Sequence, residues 1–305
     1  MILVFKKDHG ENMREKKAKV VLITGCSSGM GFQTAVHLAN QGYKVYAGLR
    51  NCKKDKHLLT QAISQNKNKQ ENLVPLQLDV TSSKQIKAAI KQIITNEKHL
   101  DVLVNNAGYG LFGPVEDCSM AEIKQQFEVN LFGAIELTHA AIPHFRKQSF
   151  GRIICISSIV AINNLAVLGT YSATKAALEA IGFSWAGTLF PWNIAVTLVE
   201  PGATNTSFPD HLIIGSAFKG KKNPYGPMLK KSLGFIKELN AKNSQAQKPK
   251  DIALLIEKLI KDKNPPLRTQ TSKDVTEEVK SFSKDPTGKI WLKAEQAEMK
   301  KLGKL

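Results

Sequence analysis

Val20-Val-Leu-Ile-Thr-Gly-Cys-Ser-Ser-Gly-Met-Gly31 decides the architecture of this chain. Val20–Ile23 is a short aliphatic, β-branched run of the kind that forms a parallel strand buried on both faces. The glycine-rich turn Thr24–Gly31 follows, and Phe32 to Gln41 then reads as a helix closed by Gly42. Strand, glycine-rich turn and helix together make a phosphate-binding arrangement. Glycines let the backbone approach a pyrophosphate, and a helix N-terminus favours its negative charge. Gly25, Ser27, Ser28, Gly29, Met30 and Gly31 are therefore candidate cofactor contacts. Their spacing is G-x-x-x-G-x-G, not the more familiar G-x-G-x-x-G.

Downstream, Tyr43–Leu49 is a second strand, with Arg50 at its end, 19 residues after Gly31. Folds that select NAD commonly place an acid here, on the ribose 2′-hydroxyl. Residues 43–50 hold no Asp or Glu. An arginine fork suits a 2′-phosphate instead, which points to NADP(H), and Lys53 and Lys54 add charge. Residues 55–72 are polar and helical or loop-like, and Leu73–Leu78 is a third strand. Asp79 and Val80 end that strand where an adenine would lie, and Thr81 or Ser82 caps a helix to about Asn96. Leu100–Val104 is a fourth strand, and Asn105-Asn-Ala-Gly108 puts Asn106, Ala107 and Gly108 at the cofactor crevice.

A helical pattern resumes from about Met120 to Lys147, interrupted by Val129-Asn-Leu-Phe-Gly133. Asparagine and glycine are poor mid-helix residues, so a kink is expected there, or an Asn130 side chain aimed at a buried polar site. Gly151–Ile156 is a fifth strand ending in Ser157-Ser158, and the crossover Ile159–Thr170 brings Ser158 toward Tyr171. Ile194–Val199 is a sixth strand, left through Glu200-Pro-Gly-Ala-Thr-Asn-Thr206. That exit adds Pro201, Gly202, Thr204 and Thr206 to the cofactor side. Strands and helices alternate throughout, as in an α/β, doubly wound, Rossmann-like domain with a parallel sheet and helices on both faces.

Tyr171-Ser-Ala-Thr-Lys175 opens a segment of strong helix formers. Residues four apart on a helix share a face, about 5–6 Å apart at Cβ. An ammonium there is expected to lower the phenol pKa. Moving a tyrosine from about 10 to near 7 takes roughly 4 kcal/mol, which one unit charge at about 4 Å supplies at an effective dielectric near 20. The pair is then a proton donor and acceptor working near neutral pH.

Composition bounds the rest. The chain has 305 residues, 42% of them hydrophobic, enough for one large core. Residues 1–17 read as an N-terminal extension, 18–270 as the domain with a lid at 207–247, and 271–305 as a basic tail of weak periodicity. The lid mixes Phe208, Leu212, Ile213, Ile214 and Phe218 with glycine, proline and lysine. A net charge of +17 is scattered, apart from local density at Lys53–Lys56 and Lys219–Lys222, and reads as solvated surface. No zinc-finger or RNA-binding signature appears, so nucleic acid is not an expected partner. No apolar run approaches a membrane-spanning length, which leaves peripheral contact open. Cys26, Cys52, Cys118 and Cys155 have neither metal-ligand nor disulfide spacing, so no metal is expected and a reducing cytoplasm fits.

In order and spacing these pieces resemble the short-chain dehydrogenase/reductase family. The resemblance rests on Thr24–Gly31, Asn105–Gly108, Asn130, Ser158, Tyr171, Lys175 and Pro201-Gly202, and covers about residues 18–206, with weaker support to about 268. Val45-Tyr-Ala-Gly-Leu-Arg50, Ala176-Ala-Leu-Glu-Ala180 and Asn264-Pro-Pro-Leu-Arg268 are most similar to the branch of 17β-hydroxysteroid and retinol dehydrogenases. The family implies hydride transfer between a nicotinamide and a carbonyl or alcohol carbon. It implies that Tyr171 passes the proton, Lys175 lowers its pKa and holds the nicotinamide ribose, Ser158 bonds the substrate oxygen, and Asn130 fixes a water. The branch implies a hydrophobic, steroid-, retinoid- or lipid-like substrate, and the family a homodimer or homotetramer. Thr174 stands where the family often has serine. A non-catalytic NADP-binding regulator is the alternative, and the intact Ser158, Tyr171 and Lys175 set argues against it.

Overall fold

The computed structural model describes residues 18–64, 71–206, 208, 212–216, 223–239, 246–283 and 297. The extension at 1–17, nearly all of the tail beyond 283, Phe218 and Lys219–Lys222 lie outside the described residues. Seven parallel strands form one sheet: β1 (Val20–Ile23), β2 (Lys44–Leu49), β3 (Leu73–Gln77), β4 (Val102–Asn105), β6 (Gly151–Ile156), β7 (Ile194–Glu200) and β9 (Arg268–Gln270). A two-residue pair, β5 (Leu111–Phe112) with β8 (Ile213–Ile214), stands apart from it. The order β3-β2-β1-β4-β6-β7-β9 reverses direction between β1 and β4. Ligands of such sheets bind at this reversal, outside the carboxyl ends of the strands.

Side chains of β1 alternate between two cores. Val20 and Leu22 enter one apolar cluster, Val21 and Ile23 the other. Burial on both faces explains the unbroken aliphatic run. Helices α1 (Gly29–Asn40) and α8 (Pro249–Lys261) cover one face through Ala35, Leu38, Ile252 and Ile256. Helices α3 (Ser83–Glu97), α5 (Gly133–Gln148) and α6 (Gly169–Leu189) cover the other through Ile86, Leu137 and Leu178.

Several boundaries differ from the sequence reading. Helix α1 starts at Gly29, not Phe32, so two glycines of the turn already belong to its first turn. The polar stretch after Arg50 contains helix α2 (Cys52–Ser64). The long helix is divided as expected near Asn130: α4 (Met120–Phe127) and α5 are joined by a π turn, Glu128–Phe132. The strand pair β5–β8 and the seventh strand β9 are too short to show a sequence period. The stretch 207–247, expected to be irregular, contains helix α7 (Gly226–Leu239). The folded domain also passes residue 270. Helix α9 (Lys273–Ser283) buries Val275 and Val279 in a third apolar cluster with Tyr171, Met228 and Leu229.

Candidate active site

The cradle is built from the β1–α1 turn and the exit of β4. Gly25 and Gly29 adopt φ of +71° and +60°, a region side chains resist. A Cβ on Gly31 would stand 2.4 Å from both Gly25 O and Asn106 Nδ2. Thr24 Oγ1 accepts from the backbone N–H groups of Asn106 and Ala107, each at 2.9 Å. Asn106 Nδ2 donates to Thr24 O at 2.8 Å and to Gly25 O at 3.2 Å. The Asn106 amide, expected on the cofactor, is thus engaged in holding the turn's shape. Ser27 and Ser28 are exposed, Met30 is half-buried, and Ser28 precedes α1 without a side-chain cap. The first turn of α1 carries no acid. Uncapped N–H groups at a helix start favour an anion.

The Pro201–Thr206 segment lies over this turn: a Gly29 Cβ would meet Thr206 Cβ and Cγ2 at 3.5 Å. Pro201 O accepts from Ile159 N at 3.0 Å. Thr204 is buried and its hydroxyl donates to Gly202 O at 3.0 Å, so it shapes the segment from within. Arg50 is exposed at the exit of β2, and among the described residues its guanidinium has no ion-pair partner. Gln77 Nε2 donates to Arg50 O at 2.8 Å, joining that exit to the end of β3. There Asp79 Oδ1 accepts from Thr81 N and Oγ1 at 2.9 and 2.8 Å, and Val80 is buried. Glycine cradle, open helix start and unpaired arginine fit a phosphate-bearing dinucleotide.

Tyr171 and Lys175 lie one turn apart on α6, both buried, with Lys175 Nζ 5.7 Å from the phenol ring centroid. The crossover returns as expected: it brings the Ser158 side chain close enough to Tyr171 to lower the phenol's pKa, while Ser158 Oγ accepts from Val160 N at 3.3 Å. Lys175 Nζ donates to Ile156 O at 2.7 Å. Asn130, in the π turn, accepts from Tyr109 N at 3.0 Å and donates to Tyr109 O at 2.9 Å and Thr174 Oγ1 at 3.1 Å. Thr174 Oγ1 in turn donates to Tyr171 O at 2.7 Å. A Cβ on Gly108 would meet Asn130 Oδ1 at 3.1 Å and Lys175 Nζ at 3.5 Å, so the β4 exit closes on the same point.

One expectation is overturned. Lys175 does not bring the phenol toward neutrality in this structure. Burial pushes Tyr171 up to about 12, opposed by the Ser158 side chain. Burial pushes Lys175 down to about 8, opposed by the nearby Cys155 thiol. Desolvation disfavours phenolate and ammonium alike. The resting phenol is therefore protonated at neutral pH.

An apolar wall completes the site. The Phe208 ring lies 5.6 Å from the Tyr171 ring, tilted by 48°. Phe208 and Leu212 also crowd Gly110, where a Cβ would stand 2.5 Å from Leu212 Cδ2. The described residues of 212–239 are fastened by side chains: Asn223 Nδ2 donates to Asp117 Oδ2 and Tyr225 Oη to Glu116 Oε1, both at 2.6 Å. Ser216 Oγ donates to Glu122 Oε2 at 3.0 Å. Sequence reasoning gave no role to Thr24 and only a harmless one to Thr174, although both stand inside the motifs it used. Their value lies in hydrogen bonds to distant residues, Thr24 with the backbone of Asn106 and Ala107 and Thr174 with the Asn130 side chain, which spacing does not show.

Comparison with known proteins agrees with this geometry. Residues 19–212 match the family model for short chain dehydrogenases. Retinol dehydrogenase 8 of Bos taurus is 34% identical over 286 residues, covering 90% of this chain and 88% of that protein. The 17-beta-hydroxysteroid dehydrogenase type 1 of Mus musculus is 34% identical over 284 residues, covering 90% and 80%. A short-chain dehydrogenase structure from Streptomyces avermitilis superposes with a TM-score of 0.75 at 28% identity, covering 94% of this chain and 98% of its own. The chain belongs to the short-chain dehydrogenase/reductase family of oxidoreductases.

Proposed function

We propose that this protein is an NADP(H)-dependent oxidoreductase acting on the carbonyl or alcohol of an apolar, steroid-, retinoid- or lipid-like substrate. The observation that carries the reading is the convergence of buried Ser158, Tyr171 and Lys175, the last two one turn apart on α6, against a wall of Phe208, Leu212 and Met228. A bound nicotinamide supplies or accepts the hydride. Ser158 and Tyr171 hold the substrate oxygen where charge develops. Tyr171, protonated at rest, donates the proton when a carbonyl is reduced. An ammonium has three donors. One of Lys175's is on Ile156 O, and the others suit a ribose hydroxyl and the reacting phenol. Asn130 Oδ1 and Lys175 Nζ flank one point beside Gly108, where a water would join the lysine to solvent.

Arg50, exposed and without an ion-pair partner among the described residues, supports the 2′-phosphate of NADP(H) over the bare ribose of NAD. Among the described residues no helix is long and apolar enough to cross a membrane, which is compatible with the cytoplasm. Exposed Phe183 on α6 and Phe190 just beyond it support self-association of copies. The test is oxidation of NADPH, followed by absorbance, over steroid, retinoid and aliphatic carbonyls. Tyr171→Phe is expected to lower kcat by about 10²–10⁴-fold, with NADPH fluorescence on binding unchanged. Turnover retained in that variant refutes the assignment of the proton.

A further inference from the structure

Three sequence fragments that serve as family pointers, Ala176–Ala180, Glu200-Pro-Gly202 and Asn264–Arg268, converge in one buried cluster that the proton-transfer scheme does not use. Arg268 on β9 reaches both carboxylates. Its Nε lies 2.5 Å from Glu200 Oε1, at the end of β7, and 3.2 Å from Glu179 Oε2, on α6 one turn beyond Lys175. Gln270 Nε2 donates to Glu200 Oε2 at 2.8 Å. Glu200 is wholly buried and Glu179 nearly so. Two carboxylates and one guanidinium leave this cluster one negative charge in excess.

The cluster joins the parts of the site that must keep register. Glu179 is on the helix that carries Tyr171 and Lys175. Glu200 immediately precedes Pro201–Thr206, which lies over the glycine turn. Beyond β9, Thr271 O accepts from Gln247 Nε2 at 2.7 Å, and Gln247 O accepts from Asn205 N at 2.8 Å. Arg268 therefore binds the helix of Tyr171 and Lys175 to the start of the Pro201–Thr206 segment, and Thr271, three residues on, holds its other end through Gln247. The groups facing Glu179 are the Ser157 hydroxyl and Cys155 thiol from β6 and its exit, Glu200 from β7 and Arg268 from β9. Lys175, on its own helix, acts on the same Cys155 thiol.

We propose that Glu179 is a positioning residue for the reaction: ionised and bridged through Arg268 to Glu200, it locks the Tyr171–Lys175 helix to the Pro201–Thr206 segment, and its protonation loosens that lock. The consequence for turnover rests on the function proposed above; the cluster itself does not. Burial, then the neighbouring Glu200 carboxylate, push Glu179 up to about 7, while Ser157 and Arg268 oppose the rise. The switch therefore falls in the neutral range.

Two variants and two readouts test this. Glu179→Gln keeps the shape and fixes the neutral state; Arg268→Gln removes the cation that favours ionisation. In wild type, kcat/KM is expected to rise as pH passes about 7. Glu179→Gln should match wild type near pH 6 and fall on the order of tenfold below it at pH 8, the scale of a small misplacement of reacting groups. Arg268→Gln removes the bridge itself, so kcat/KM should stay low with no inflection across that range. The second readout needs no turnover. A raised carboxyl pKa means the folded state holds a proton that the unfolded state has lost, so this group's contribution to stability falls as pH rises through about 7. The Tm of Glu179→Gln relative to wild type should climb between about pH 5 and 8 and then level. Equal loss of activity at every pH, or an inflection that Arg268→Gln leaves in place, overturns the proposal. A Tm difference that does not vary with pH overturns it even where wild type turns over no substrate, an outcome that counts separately against the oxidoreductase reading.

Discussion

Thr24→Val is the sharpest probe of the cradle. The substitution preserves shape and removes one oxygen. That oxygen accepts from two backbone N–H groups, Asn106 and Ala107, each at 2.9 Å. Valine leaves both donors facing a methyl. An unsatisfied buried donor costs about 1–3 kcal/mol. Asn106 and Ala107 are half-buried, which places each near the lower end, so the pair amounts to about 2–4 kcal/mol. For a domain of this size 1 kcal/mol moves Tm by about 2–4 °C, and a fall of about 5–10 °C follows. NADPH binding should weaken at least tenfold as the β4 exit parts from the glycine turn, since about 1.4 kcal/mol suffices for that factor. Thr24→Ser keeps the oxygen and should stay close to wild type in both. Thermal unfolding by circular dichroism and NADPH fluorescence titration read the two effects. A Thr24→Val protein melting within about 1 °C of wild type would show that the hydroxyl does not hold the cradle.

If Arg50 holds the 2′-phosphate of NADP(H), Arg50→Asp removes charged hydrogen bonds worth about 1.5–3 kcal/mol, so KM for NADPH should rise about 10–100-fold while NADH is used better; an unchanged cofactor ratio dismisses Arg50. Lys175→Met should melt higher than wild type at pH 7, by an amount approaching about 3 kcal/mol, because burial depresses the lysine from 10.5 to about 8. The folded state then loses its proton before the unfolded state does, wild type regains stability as pH climbs from 8 to 10.5, and the advantage should shrink over that window. An advantage that stays flat through it contradicts the depressed lysine. Gly110→Ala puts a methyl 2.5 Å from Leu212 Cδ2 and should displace Leu212 and Phe208, raising KM for bulky apolar carbonyls several-fold while small ketones are little affected. Equal effects on large and small substrates would remove Gly110 and its neighbours from substrate selection.

The six longer strands of the sheet were legible in the chain because burial on both faces favours aliphatic runs such as Val20–Ile23 and Val102–Val104. A break in the helix near Asn130 was anticipated from residues that a helix interior disfavours; its π geometry was not. Strand β9 was not, since three residues carry no period, and neither was helix α9, whose buried face is two valines among charges.

Local order in the chain thus determined the parallel sheet, the glycine turn beside a helix start, and the approach of Ser158 to a tyrosine four residues ahead of a lysine. Each follows from backbone preference and side-chain period, which act between neighbours. The protonation of Tyr171 and Lys175 was settled only by folding, because desolvation depends on everything packed around a group and here exceeds the attraction between the pair. Folding alone also brought Glu179, Glu200 and Arg268 together from three separate elements. A hydrogen bond or ion pair across 68 or 82 positions leaves no periodic trace in the chain.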